Sequence, residues 1–98
     1  MDNKVYKINN GFILRAVKGA DGEEKNVVIT VGEASKKLNG MITLNSTCAF
    51  IFKILEKGAT RNEIITALSK EYGILENEVS ADVDEVLVGF KNIGVIND

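Results

Sequence analysis

The sequence predicts an α+β chain, a small three-stranded antiparallel sheet followed by three helices. Three observations predict it. Residues 12–17 and 26–31 are rich in strand-forming side chains and flank a loop containing Gly19, Asp21 and Gly22, which is a hairpin pattern. Residues 41–55, MITLNSTCAFIFKIL, pass from a short apolar strand through a polar capping group into an apolar helix. Two further helical stripes follow, each ended by a glycine. With 98 residues the expectation is one domain, 1–98, burying roughly 60 to 65% of the surface of its unfolded chain.

Residues 5–8 form a short stretch ending in Asn9, Asn10 and Gly11, a turn signal, and read as a minor strand or an ordered arm. In residues 12–17, Phe12, Leu14 and Ala16 share one face, and Ile13, Arg15 and Val17 the other. Across the hairpin, Val27, Ile29 and Val31 are expected to join Phe12 and Leu14 on the core face, leaving Val28 and Thr30 outside. Residues 32–37, GEASKK, read either as one helical turn or as an irregular connection, and their glycine and charges argue against burial. Asn39 and Gly40 give a further turn into the edge strand at 41–44.

Asn45, Ser46 and Thr47 offer side-chain oxygens to a helix start. Beyond them Cys48, Ile51, Phe52 and Leu55 follow i, i+3, i+4, i+7 spacing, and Phe50 and Ile54 add a second stripe. A short helix this apolar all round is expected to be buried on several sides and to be the pivot between sheet and helices. It should end near Lys57, with Gly58 in the left-handed conformation. Thr60 and Glu63 then form a T-x-x-E capping box that opens the second helix. Its buried stripe is Ile64, Ile65, Leu68 and Tyr72, and Gly73 ends it. The third helix is expected over 76–93, with Val79, Val83, Val86, Leu87, Phe90 and Ile93 toward the core and Gly94 closing it, so that Val95 and Ile96 fold back. Leu75 stands where a capping residue is wanted. Val88 falls off the stripe, on a flank shared with Ala81, Asp84 and Glu85.

The chemistry that is missing narrows the function. There is no histidine, which removes the commonest general base and metal ligand, and one cysteine makes neither a disulfide nor a structural zinc site. No phosphate-loop, dinucleotide or nucleophile-elbow motif occurs. The expectation is a non-enzyme with no catalytic residue, no metal and no cofactor. Cys48 has two readings: a thiolate favoured by a helix N-terminus, or a small apolar residue packed in the first turn, which the absent base favours. The apolar run 48–52 is far shorter than the roughly 20 residues of a membrane span, and residues 1–10 lack a secretory pattern, so no membrane and a cytoplasmic location are expected. Residues 1–50 hold seven bases against five acids, whereas residues 51–98 hold five bases against nine acids.

One family resemblance covers nearly the whole chain, 7–96. It is carried by Gly11, Phe12, Leu14 and Arg15 in the first strand and by Val31, Gly32 and Glu33 after the second. The most specific part is the central block of Asn39, Gly40, Met41, Ile42, Thr43, Leu44, Asn45, Ala49, Phe50, Ile51 and Leu55. Thr60, Glu63, Ile64 and Tyr72 follow, then Ala81, Asp82, Val83, Leu87 and Gly94. The chain resembles the PqqD family, whose members are peptide-modification chaperones called RiPP recognition elements. It departs from the pattern at Cys48, where glycine or alanine is expected, and at Leu75, where a polar cap is usual.

The resemblance implies a winged-helix-like domain that binds the leader of a ribosomally made precursor peptide and presents it to a modifying enzyme, expected to be a radical SAM protein. In the family the leader adds to the third strand and lies against the third helix. That implies a peptide site at Gly40, Met41, Ile42, Thr43 and Leu44, with Ala81, Asp84, Glu85 and Val88 on the helix, Ala81 leaving room and Val88 an apolar wall. An edge strand suits this, since an extended peptide satisfies its unpaired backbone groups. Two alternatives stand beside it. A winged-helix DNA-binding protein is allowed by fold, but its third helix carries Glu76, Glu78, Asp82, Asp84 and Glu85 against Lys91 alone, so phosphates would be repelled and no nucleic-acid partner is expected. An interaction subunit of a larger assembly would use the outer sheet face, Ile13, Val17 and Val28, unless Val5, Tyr6 and Ile8 cover it.

Overall fold

The structure, a computed structural model, describes residues 3–37 and 40–97. It is α+β, with a three-stranded antiparallel sheet formed by β2 (Phe12–Lys18), β3 (Glu24–Thr30) and β4 (Ile42–Leu44) in the order β2-β3-β4. A second, two-stranded pairing joins β1 (Val5–Tyr6) to β5 (Ala59–Thr60). The helices are a single turn, α1 (Ala34–Lys37), and the three longer ones expected, α2 (Ser46–Lys57), α3 (Arg61–Tyr72) and α4 (Glu76–Asn92). Of the turn expected at Asn39 and Gly40, Asn39 lies outside the described residues.

The hairpin forms where the glycine-rich loop folds back on itself: the Gly19 N–H donates to Glu23 O, and the Gly22 N–H to Gly19 O. Its register corrects the expected core face of β3. Phe12 pairs with Thr30, Leu14 with Val28, and Val28 in turn with Ile42, so even-numbered residues of β3 share a face with Phe12 and Leu14. Val28 is therefore the core residue, at 1% exposure, while Val31 is exposed. The run 27–31 has branched side chains at every position and no alternation of its own, so the pairing alone sets its phase. Val27 is buried as well, opposite Arg15 and Thr43, but on the other face and outside the central cluster. The outer face consequently lacks Val28. Val5 and Tyr6 pair with β5.

The connection after β3 also differs from expectation, since Ala34 is buried. The cause is a close approach. Gly11, at φ +92°, lies so near that a Cβ there would stand 2.6 Å from Val31 O and 2.7 Å from Ala34 Cβ, while the Val31 N–H donates to Gly11 O at 2.8 Å.

The core gathers on α2, whose Ile51, Phe52 and Leu55 are each at 0% exposure. Ile64 and Leu68 of α3, Val79, Val83, Leu87 and Phe90 of α4, and Val28 of the sheet join the same cluster. Phe52 meets Phe90 edge-on, ring centroids 6.1 Å apart. Helix α2 ends at Gly58, which has positive φ but extended ψ (91°, 136°) rather than the left-handed conformation expected, because the chain passes directly into β5. The Thr60–Glu63 capping box opens α3, and Gly73 (64°, 35°) closes it in the left-handed region. Tyr72 is a correction: it is 43% exposed and touches Phe50 edge-on at 6.0 Å instead of continuing the buried stripe. Past α4, the Val95 N–H bonds back to Phe90 O, and both Val95 and Ile96 are buried as expected. The N-terminal arm ties these ends together, its Ile8 N–H donating to Leu55 O and its Asn9 N–H to Val95 O.

Gly11→Ala should destabilise the chain by about 2 kcal/mol or more, combining a disfavoured φ with a backbone clash. Gly22→Ala, at φ +83° but with open space around it, should cost about 1 kcal/mol. Urea unfolding of both variants checks the difference, and equal losses would remove the packing role assigned to Gly11.

Candidate functional site

Strand β4 is a free edge, paired on one side only, to β3. Leu44 points into the core and Ile42 packs against it, whereas Thr43 is exposed and Met41, just before the strand, is 71% exposed. In such an antiparallel edge alternate residues direct their N–H and C=O groups away from the sheet, where nothing among the described residues pairs with them. Asn45 then turns the chain at once. In extended backbone (φ −71°, ψ 172°), its Oδ1 accepts the Cys48 N–H at 2.8 Å and so caps α2. The first turn of α2 therefore lies immediately beyond the end of the edge strand.

Between that turn and α4 is a groove of about 540 Å³. Asn45, Thr47 and Cys48 line it from the α2 side, and Asp82, Glu85, Val86, Gly89, Phe90 and Ile93 from α4. The α4 residues follow from helical spacing: 82, 86, 89 and 93 fall on one arc, next to the core stripe at 79, 83, 87 and 90. Val86 and Ile93 are half-buried and give the groove an apolar floor, with Asp82 and Glu85 exposed at its rim. Gly89 keeps that floor open, since a Cβ there would meet nothing within 4 Å.

Cys48 sits inside this groove, half-buried. Burial pushes its thiol pKa up, and the nearby Glu85 charge pushes it further the same way. Between the two readings of this residue, the structure favours the packed thiol over an activated thiolate. Among the described residues no group of three or more metal-binding side chains comes together, and no helix is long and apolar enough to cross a membrane.

The residues expected to form a site divide into two groups. Met41, Ile42, Thr43 and Leu44 lie along the β4 edge, Gly40 precedes them at φ +108°, and Glu85 reaches the groove. Ala81, Asp84 and Val88 do not join them. At about 100° per residue they fall on an outward arc of α4, away from the groove. All three are exposed, and Asp84 is taken up by Arg61 of α3, with Nε to Oδ1 at 2.5 Å and Nη2 to Oδ2 at 2.9 Å. That guanidinium hydrogen bond holds the Asp84 carboxyl below its ordinary pKa, against a weaker opposing effect of burial. Val88, expected as an apolar wall, is 54% exposed on this outer arc, while Val86 and Ile93 line the groove. The signal that could have located them is Gly89, a glycine in mid-helix between two apolar flanking positions.

The sequence profile of one family, described as coenzyme PQQ synthesis protein D (PqqD), matches residues 21–96. The matched span holds β3, β4 and all four helices, and leaves the first-strand residues Gly11, Phe12, Leu14 and Arg15 outside it. No curated protein and no solved structure matches the chain.

The environment of Cys48 has a measurable consequence. At pH 8 alkylation of its thiol should run several-fold slower than that of a free cysteine peptide, because the reactive thiolate is scarcer. Glu85→Gln removes one of the two causes and should raise the rate about two- to threefold. Rates indistinguishable between the native chain and Glu85→Gln would show that the Glu85 charge does not reach the groove.

Proposed function

The chain belongs to the PqqD family, and from that premise we propose that it is a non-catalytic peptide chaperone, which binds the leader of a ribosomally made precursor peptide by strand addition and presents it to a modifying enzyme. The leader pairs with the free edge of β4 at residues 41–44 and runs on into the groove between the start of α2 and α4. One observation carries this reading: an unpaired strand edge ends where an apolar groove begins, so main-chain bonding and side-chain pockets are available to the same extended segment. The helix side of the site is assigned to Asp82, Glu85, Val86, Gly89 and Ile93. The enzyme served is a radical SAM protein, as the family resemblance suggests.

Absence of histidine from the sequence and the raised thiol pKa of Cys48 support a binding role over a catalytic one. DNA binding is disfavoured by charge. Helix α4 presents carboxylates on its groove side at Asp82 and Glu85, and its base Lys91 lies over the Tyr6 ring, 5.1 Å from the centroid.

Leader peptides encoded beside the gene are the probes for this reading. On adding one, amide exchange should slow in β4 and along the groove side of α4. Gly89→Leu projects a side chain into the groove from a position whose Cβ has open space, and replaces a mid-helix glycine, so the protein should be as stable as the native chain, or up to about 1 kcal/mol more so. Its peptide affinity should nevertheless fall at least about tenfold, the loss expected when an apolar anchor is displaced. Val88→Asp, on the outer arc, should bind as the native chain does. Retained affinity in Gly89→Leu together with loss in Val88→Asp would place the peptide on the outer arc of α4 instead.

A further inference from the structure

We propose that the groove selects extended peptides in which a lysine or arginine stands beside an apolar anchor, and that Asp82 and Glu85 are the residues that choose the basic side chain. The inference rests on the peptide-binding reading above and adds to it the chemistry of the segment bound.

The carboxylates of α4 are unevenly compensated. On its outer arc, Asp84 is paired through two bonds with Arg61. Asp82 and Glu85, at the groove rim, have neither an ion pair nor a hydrogen bond among the described residues. Lys91 is the base of α4, and at about 100° per residue it projects from the side opposite Asp82, where Tyr6 takes it. The groove thus keeps two uncompensated carboxylates next to an apolar floor, and low-dielectric walls strengthen such a field. Glu85 and Cys48 line the same groove, where the Glu85 charge adds to burial in raising the thiol pKa.

Spacing favours the same occupant. Asp82 and Val86 are four residues apart on α4, about 6 Å along its axis. In an extended peptide, side chains two positions apart share a face and stand about 6.7 Å from one another. An apolar residue on Val86 therefore brings the side chain two positions along to Asp82, with Glu85 beside it at the rim. Lysine and arginine suit that place twice over, since the aliphatic stem covers the floor while the cation reaches the rim. An acidic side chain there meets two like charges.

Panning a displayed library of random dodecapeptides against three proteins tests this: the native chain, Gly89→Leu, and the double variant Asp82→Lys with Glu85→Lys. Both exchanged residues are exposed, so the double variant should fold, which a thermal melt checks. Peptides held by the native chain and lost on Gly89→Leu should be enriched in lysine or arginine two positions from an apolar residue. The double variant should select glutamate or aspartate there. Replacing that lysine by glutamine in an enriched peptide should weaken binding about tenfold, and the difference should shrink at about 0.5 M salt. Groove-dependent peptides with no basic preference, or the same peptides selected by the double variant, would overturn the inference and leave the peptide-binding reading standing. The latter result with a lowered melting temperature would mean that the two carboxylates only complement the helix start of α2. Peptides that bind Gly89→Leu as well as the native chain would overturn both.

Discussion

Burial of one face of α2 is the constraint on which the other elements depend. Ile51, Phe52 and Leu55 are all at 0% exposure, and each such side chain contributes about 1.5 to 3 kcal/mol relative to staying in water. Three separate parts of the chain supply what covers them. The sheet brings Val28, α3 brings Ile64 and Leu68, and α4 brings Phe90 onto the ring of Phe52. The N-terminal arm contributes through the backbone, with the Ile8 N–H on Leu55 O at 3.1 Å. Helices α3 and α4 also pack against each other, with Arg61 of α3 on Asp84 of α4. The edge-on contact of Phe52 with Phe90 joins α2 to α4, and with it to the far wall of the groove.

The capping turn at Asn45 then converts that buried frame into an exposed feature. Leu44 is in the core and Ala49 is in the core, with only four residues between them, and the Oδ1 of Asn45 satisfies the helix donor that the abrupt change of direction leaves open. A longer connection would have set the edge strand apart from the helix wall. Here the end of one is the beginning of the other.

Much of this was legible in the sequence because the signals are local. Capping groups at Asn45 and at Thr60 with Glu63, glycines after α3 and α4, and the stripes of α2 and α4 all act within a few residues. What escaped was set by long-range pairing. The phase of β3 depends on which residue faces Phe12 across the hairpin, and a run of five branched side chains carries no mark of it. Ala34 is buried because Gly11, 23 positions earlier in the sequence, makes room for it. On α4 the sequence identified the core stripe but not which flank turns toward α2. Val88 drew attention as an apolar residue off the stripe, yet the flank is decided by where α2 lies, and Asp84 faces Arg61 of α3. Tyr72 belongs to the last turn of its helix, where the stripe runs past the edge of the core.

The brevity of β4 has a consequence for fidelity. A three-residue edge offers too few backbone bonds to hold another strand by itself, and this protects against indiscriminate pairing with any exposed sheet edge. The adjoining groove is likewise incomplete alone, being open and narrow in apolar area. On the peptide-binding proposal, two weak half-sites joined end to end would behave like a tethered pair, in which engagement of the first raises the effective concentration of the second. Segments that satisfy only one would then be released quickly, and discrimination would arise from the continuity of the two halves rather than from the strength of either.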